Sequence, residues 1–517
     1  VSAARSFAEA VRDRAELDPD AELVCLVGGP SWSAGRLWGR ACELAAGLAA
    51  QVGPGDAVLT AVEPSPETVA LTTALSMLGA VEVACPSEHG PRDVRRLARV
   101  SRSRLAVVDP VHLTEHLEPV VLASTPVVVT RAVAGHLSLD DLAAHPQPLP
   151  RHDPHPGTPA LAVPTSGTTG RPKIALLPNG AALGQARRVQ RAMGYDDHDV
   201  VLSVFPWQHI NARHAAFLPA VLGGARSVVA PRFSASRFWA DVTAEGVTAF
   251  NFMGAVCAIL LRRPPGPLDR AHLVERAYGG PAPAWLVEQV AERFGVELRQ
   301  AYACTELGDV ATTGDQIRPG AAGRVVPEYD AQVRDEHDRT VPDGTVGALV
   351  VRPREEHLTF AGYLDDPAAT DEAWRGGWFR TGDRARLEDG WLWFEGRGTD
   401  VIRRRGLNIS AASVEDAVAA YDGVAEVAAV AVPSELTEDE VLVVVVPTRP
   451  DLDPAALVRH CRGVLPRHAV PRYVSVEDSL PRNANHKVLH ARLRDRGLPP
   501  TVWDAERSPS ATLQENP

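Results

Sequence analysis

The sequence predicts an α/β protein: a large N-terminal domain of doubly wound sheets with a small antiparallel subdomain, and a small α+β C-terminal domain. Three observations lead there. Short apolar runs of strand length alternate with amphipathic stretches of helical period through most of the chain. Turn signals, Pro342-Asp343-Gly344 among them, crowd between alternating strands around residues 330–347. After Gly396-Arg397-Gly398 follows a unit of roughly a hundred residues, an ordinary size for a small domain.

Taken in order, residues 58–62 read as a strand and 67–78 as a helix with apolar positions at helical spacing. Residues 105–108 and 126–129 read as buried strands, and 160–163 and 174–177 as strands flanking a loop. In the last unit, 414–420 reads as a helix, with strands at 424–432 and 441–446. The tail from Gly497, with Pro499-Pro500 and Ser508-Pro509-Ser510, is expected to be disordered. A chain of 517 residues is long for one core, so at least two domains are expected.

Composition narrows the function. Charged residues at 23% and hydrophobic ones at 45% are globular values. A net charge of −12 argues against nucleic acid or an anionic membrane as the main partner. Cys25, Cys42, Cys85, Cys257, Cys304 and Cys461 are scattered without CxxC spacing, which speaks for reduced thiols and against a zinc site. No apolar run is long enough to span a bilayer, and the N-terminus lacks a signal-peptide pattern. A soluble, cytoplasmic protein is expected.

The stretch Thr165-Ser166-Gly167-Thr168-Thr169-Gly170-Arg171-Pro172-Lys173 is dense in hydroxyls and backbone N–H groups and ends on a cation. Glycines let the backbone approach a ligand, hydroxyls supply donors and Lys173 adds a point charge, which together suit a polyphosphate. The GxxxxGK[ST] pattern cannot be laid over it. Clusters of Gly, Ser and Thr are ordinarily surface turns. The strands on either side make a phosphate-gripping hairpin the stronger reading.

With further motifs in matching order, the chain resembles the adenylate-forming superfamily of acyl-CoA synthetases, peptide-synthetase adenylation domains and luciferases. The likeness covers residues 31–493. It implies that Thr165–Lys173 contacts the β- and γ-phosphates of ATP. Tyr302-Ala303-Cys304-Thr305-Glu306 resembles the family's Tyr-Gly-x-Thr-Glu: the ring stacks on adenine, Thr305 bonds the α-phosphate and Glu306 holds Mg²⁺. Tyr278-Gly279-Gly280-Pro281 resembles a Gly-Gly-Ala turn whose bare backbone lies against adenine and the acyl group.

Trp378-Phe379-Arg380-Thr381-Gly382-Asp383 resembles a further family motif, which implies that Asp383 binds the ribose hydroxyls, with Gly362-Tyr363 and Thr370 in the same block. The resemblance makes residues 1–395 the ATP- and acid-binding domain, 396–400 a hinge, and 401–496 a mobile C-terminal domain. Arg397 then approaches ribose and phosphate, Thr399 is the hinge residue, and Arg403-Arg404-Arg405-Gly406 lines the entry of the second substrate. The alternative for that loop is a solvated basic edge. Leu480-Pro481-Arg482-Asn483-Ala484-Asn485-His486-Lys487 resembles Leu-Pro-x-Thr-x-x-Gly-Lys, and Lys487 would bridge the attacking carboxylate and the α-phosphate.

Phe205-Pro206-Trp207-Gln208-His209-Ile210-Asn211-Ala212 resembles the segment beside the acyl pocket. With Gly223-Gly224-Ala225 and residues 234–239 it is most similar to the carnitine/crotonobetaine-CoA ligase type. His209, Asn211, Met253, Gly254, Gly280, Ala303 and Cys304 are the expected pocket residues. His209 is also a catalytic candidate that orients the carboxylate or gates the thiol's path, the alternative being a satisfied core histidine. Ile174, Asn179, Ala303, Ala348 and His486 depart from the common pattern, and the methyl of Ala303 favours a compact acid.

The implied activity is AMP-forming ligation of a small carboxylic acid, aromatic ones included, to CoA, with ATP and Mg²⁺. Two alternatives within enzymes keep the first step: transfer to an amine, or activation of nitrite with diazotisation of an arylamine. An inactive nucleotide-binding homologue is the alternative outside enzymes. Oligomeric state is open, a homodimer included.

Overall fold

The computed structural model describes residues 4–86, 89, 91–113, 125–165, 173–280, 282–318, 320–397, 401–404, 407–433, 439–483 and 487–507. The chain divides into two compact units: Val1–Ala331 with Val351–Phe379, and Gln332–Val350 with Arg380–Pro517.

The first unit holds two sheets. One runs Gly362–Tyr363, Lys173–Pro178, Pro159–Thr165, Val81–Ala84, Ala57–Ala61, Leu105–Val108, Val127–Val129 and Leu137–Ser138. The pairs from Pro159–Thr165 onward are parallel, while Lys173–Pro178 pairs antiparallel on both of its sides. The second sheet has a parallel centre of Glu297–Cys304, Arg276–Gly279, Ala249–Phe252, Val200–Ser203, Arg226–Val229 and Glu22–Leu26. Parallel strands need helical crossovers that cover both faces, which is why strands such as Leu105–Val108 are buried on every residue.

Local chemistry sets the helix ends. Pro66–Leu78 starts where the Ser65 hydroxyl accepts from the Thr68 N–H, with Pro66 in the first turn, and stops at Gly79 with φ 68°. Asn179–Met193 follows the hairpin strand directly, and the Asn179 amide donates to the His155 carbonyl at 3.3 Å. That bond gives the departure at Asn179 a structural role.

In the second unit a four-stranded sheet runs Val424–Pro433, Asp439–Pro447, Tyr473–Val476 and Trp503–Asp504. Helices Ala411–Ala419 and Pro454–Val464 pack on it through Val414, Val418, Leu457 and Val458. The Pro342–Gly344 turn closes with the Thr345 N–H donating to the Pro342 carbonyl.

The expectation of a disordered tail from Gly497 does not hold for residues 497–507. Trp503 pairs with Val474 and packs on the core, and Asp504 accepts two bonds from Arg472 at 3.2 Å. A proline pair suggested disorder, but one aromatic side chain and one ion pair anchor the segment. Among the described residues no helix is long and apolar enough to cross a membrane.

Candidate active site

Pro159–Thr165 and Lys173–Pro178 form an antiparallel pair with Thr165 opposite Lys173. The Thr165 hydroxyl donates to the Lys173 carbonyl at 3.4 Å. Ser166, Gly167, Thr168, Thr169 and Gly170 lie outside the described residues. Gly362–Tyr363 adds a third strand with Tyr363 opposite Ala175, and the Leu364 N–H donates to the Ile174 carbonyl at 2.8 Å. Ile174 is buried and packs in one core cluster with Leu364, so a side chain rather than glycine suits this position.

This three-stranded edge brings two of the expected site residues together. The Lys173 ammonium lies 4.9 Å from the centroid of the Tyr363 ring, and the Tyr363 hydroxyl donates to Glu306 Oε1 at 2.8 Å. Burial, reinforced by the Glu306 charge, pushes the Tyr363 hydroxyl well above its usual range, so it stays a donor. The Phe360 N–H donates to the Glu306 carbonyl at 2.7 Å, and the Tyr363 N–H to Thr370 Oγ1 at 2.8 Å. The Glu306 carboxylate is an oxygen ligand of the kind a hard cation takes, so the corner fits Mg²⁺.

Tyr302 is buried in strand Glu297–Cys304, and a register shift at Tyr302/Ala303 leaves Ala303 exposed. Cys304 and Thr305 are half-buried. Thr305-Glu306-Leu307 turns between two strands and does not start a helix.

Beneath the turn lies a set of buried polar groups that sequence reasoning missed. The Tyr329 hydroxyl donates to the carbonyls of Leu307 and Leu358. Arg188 lies over the Tyr329 ring at 5.3 Å and donates to the Leu307 carbonyl at 3.5 Å. Burial raises Asp309 to about 6, against the pull of Arg188. Arg188 stands at helical spacing within 179–193, where a charge run suggests solvent; its burial depends on strands more than a hundred residues away.

A second polar group anchors the segment that leads into His209. Arg213 makes a bidentate ion pair with Glu82 at 2.6 Å, both nearly inaccessible to solvent, and Thr60 and Thr72 also donate to Glu82. Burial alone would raise Glu82, but Arg213 and the hydroxyls hold it below its usual range. Arg213 also donates to the Trp207 carbonyl, and the Trp207 indole N–H to Thr72 at 2.9 Å.

His209 stands at the head of a short helix, where its Nδ1 accepts from the Asn211 N–H at 3.1 Å. The neutral ring therefore carries its proton on Nε2. A π-helical turn follows at Arg213–Phe217, a feature frequent at functional sites. Asn251, fully buried, donates to Asn211 Oδ1 at 2.6 Å and to the Ala215 carbonyl at 2.9 Å.

Met253 and Gly254 begin helix Gly254–Arg262 and are half-buried. Gly279 ends strand Arg276–Gly279, and a Cβ there would lie 1.8 Å from the Phe252 carbonyl oxygen. Only glycine fits between these strands. At Gly280, φ is 139°, and a Cβ would meet the Ala301 carbonyl oxygen at 3.1 Å.

In the second unit, Asp383 and Arg397 are cross-strand partners, and the Asp383 N–H donates to Thr381 Oγ1 at 3.1 Å. Asp383 is buried. Thr399 and Gly406 lie outside the described residues, as do the side chains of Arg397 and Arg403; the Arg403 backbone pairs with Asn408. Arg404 is no solvated edge: it is buried, pairs with Glu440 at 2.7 Å and donates to the carbonyls of His468 and Val470. Lys487 is exposed; its N–H donates to Asn483 Oδ1 and its carbonyl accepts from the Asn483 N–H.

Comparison with known proteins gives the family and the fold. The family model "AMP-binding enzyme" matches residues 11–364, and that of the AMP-binding enzyme C-terminal domain matches residues 413–487. The chain is 32% identical to sulfoacetate–CoA ligase of Cupriavidus necator across 92% of its own length and 93% of that protein. It is 30% identical to a crotonobetaine/carnitine–CoA ligase of Escherichia coli over 64% of this chain and 65% of the other, so the finer likeness to that type is not singled out. A crystal structure of the anthranilate CoA ligase AuaEII with anthranoyl-AMP shares the fold, with a TM-score of 0.88, 20% identity and coverage of 95% and 97% of the two chains. The chain belongs to the AMP-binding, adenylate-forming enzymes.

Proposed function

We propose that the protein activates a small carboxylic acid with ATP as an acyl-adenylate and then transfers the acyl group to the thiol of CoA. The observation that carries this reading is the corner where Lys173 and Glu306 meet through Tyr363, at the end of the strand pair where Thr165 faces Lys173. The names of similar proteins, ligases of sulfoacetate and anthranilate, support a compact acid.

In the first step a carboxylate oxygen attacks the α-phosphorus of ATP, and the bond to the departing pyrophosphate breaks. Lys173, with the hydroxyls and glycines of the loop after Thr165, holds the β- and γ-phosphates. Thr305 bonds the α-phosphate, and Tyr302, Gly279 and Gly280 border the adenine. Asp383 accepts from the ribose hydroxyls, and Arg397 approaches ribose and phosphate. Glu306 would hold Mg²⁺, which neutralises phosphate charge when bound. Lys487 stabilises the charge that grows between carboxylate and phosphate.

In the second step the CoA sulfur attacks the acyl carbon and AMP leaves. A swing of residues 401–496 about Thr399 would withdraw Lys487 and present Arg403 and Gly406. His209, Asn211, Met253, Gly254, Ala303 and Cys304 border the acid.

The test is ATP–pyrophosphate exchange across small carboxylic acids with nitrite included, followed by product mass with CoA or an amine. Acid-dependent exchange and an acyl-CoA product are expected. An amide, or exchange with nitrite alone, would replace CoA ligation by the corresponding alternative. With the productive acid, Lys487→Ala should suppress exchange while preformed adenylate still reacts with CoA; unchanged exchange removes Lys487 from the first step.

A further inference from the structure

The two charged groups of the phosphate corner do not touch each other. Among the described residues neither Lys173 nor Glu306 closes an ion pair, although both contact the same side chain. A direct Lys–Glu pair would neutralise the two charges that phosphate and a cation need. Tyr363 instead stands between them, its face toward the ammonium and its hydroxyl toward the carboxylate.

We infer that Tyr363 is a positioning residue that aims Glu306 at the metal and keeps Lys173 unpaired for phosphate. This deepens the proposed adenylation reading and rests on it. A glutamate on a turn has rotatable bonds to spare. A hydroxyl at 2.8 Å from Oε1 fixes that oxygen and leaves Oε2 to face a cation. A support of this kind orients a metal ligand without being one.

Tyr363 is itself over-determined. Its backbone pairs with Ala175, its N–H reaches Thr370 Oγ1, and its ring meets the edge of Phe360 at 4.9 Å. The ring face attracts the lysine without removing its charge.

The experiment is calorimetric titration of the full chain with ATP, first in chelator and then across Mg²⁺ concentrations. Tyr363→Phe keeps the ring and deletes the hydroxyl. It should leave metal-free ATP affinity within about twofold, since the ring face over Lys173 stays. It should raise the Mg²⁺ needed for half-maximal binding roughly tenfold, the range for losing a hydrogen bond to a charged group. Tyr363→Leu should also weaken metal-free binding, by about fivefold. In a Glu306→Gln background Tyr363→Phe should add nothing, a result that a merely structural role would not produce. A wild-type Mg²⁺ requirement in Tyr363→Phe, or an effect that persists without Glu306, overturns the inference alone. A wild-type chain that binds no ATP overturns the proposed function with it.

Discussion

At the corner formed by Lys173, Tyr363 and Glu306, the charges stay partly exposed and one aromatic ring separates them. Along residues 206–217, by contrast, Arg213 and Glu82 are withdrawn from water and joined at 2.6 Å. In the proposed reading the first region offers charge to a ligand, and pairing it internally would defeat that role. The second anchors the Trp207 carbonyl, two residues before His209, and its charges satisfy each other. The contrast teaches that the charges proposed for chemistry and those that hold the backbone differ in whether they are satisfied within the chain.

The sharpest way to break the comparison is to unpair the buried region. Glu82→Gln leaves the Arg213 guanidinium buried without its counter-charge and should cost about 3–5 kcal/mol in denaturant unfolding. Joint replacement by apolar residues, Glu82→Leu with Arg213→Met, should cost less than either single change. Additive losses would show that the pair is not the reason these residues are there.

A smaller effect reads the same region by pH. His214 is buried beside Arg213, and burial first, then the Arg213 charge with a contribution from neighbouring His209, pull its imidazole down to about 3 from an ordinary 6.5. The unfolded chain therefore binds a proton that the folded chain refuses. Stability from this group is present above about pH 6.5 and is lost as pH falls toward 3. Between pH 7 and pH 5 the loss should be about 2 kcal/mol. His214→Gln should flatten that part of the stability–pH curve, and an unchanged slope would mean that the imidazole is not buried as described.

The two regions also differ in how far the sequence foretold them. The strands at 160–163 and 174–177 were legible as short apolar runs around a loop, and Lys173 and Glu306 became candidates only through their place in ordered motifs. The contact between Lys173 and Tyr363 was not, because it depends on a third strand nearly 190 residues downstream. Glu82 and Arg213 gave no signal at all: a single charge between apolar neighbours looks like a solvated one until its partner is known. Gly279 was legible as a turn, whereas its real constraint is the Phe252 carbonyl of the neighbouring strand. The strand at Trp503–Asp504 was hidden by the prolines before it.

The most direct test of the central claim is the rate of ATP–pyrophosphate exchange in Lys173→Ala beside the wild type, with the productive acid. If the hairpin lysine stabilises the triphosphate as it reacts, exchange should fall roughly 10²–10³-fold, the usual loss for one electrostatic contact to a transition state. The melting temperature should barely move, because the lysine is partly exposed and pairs with no buried charge. Exchange at the wild-type rate in a folded Lys173→Ala protein would contradict the account.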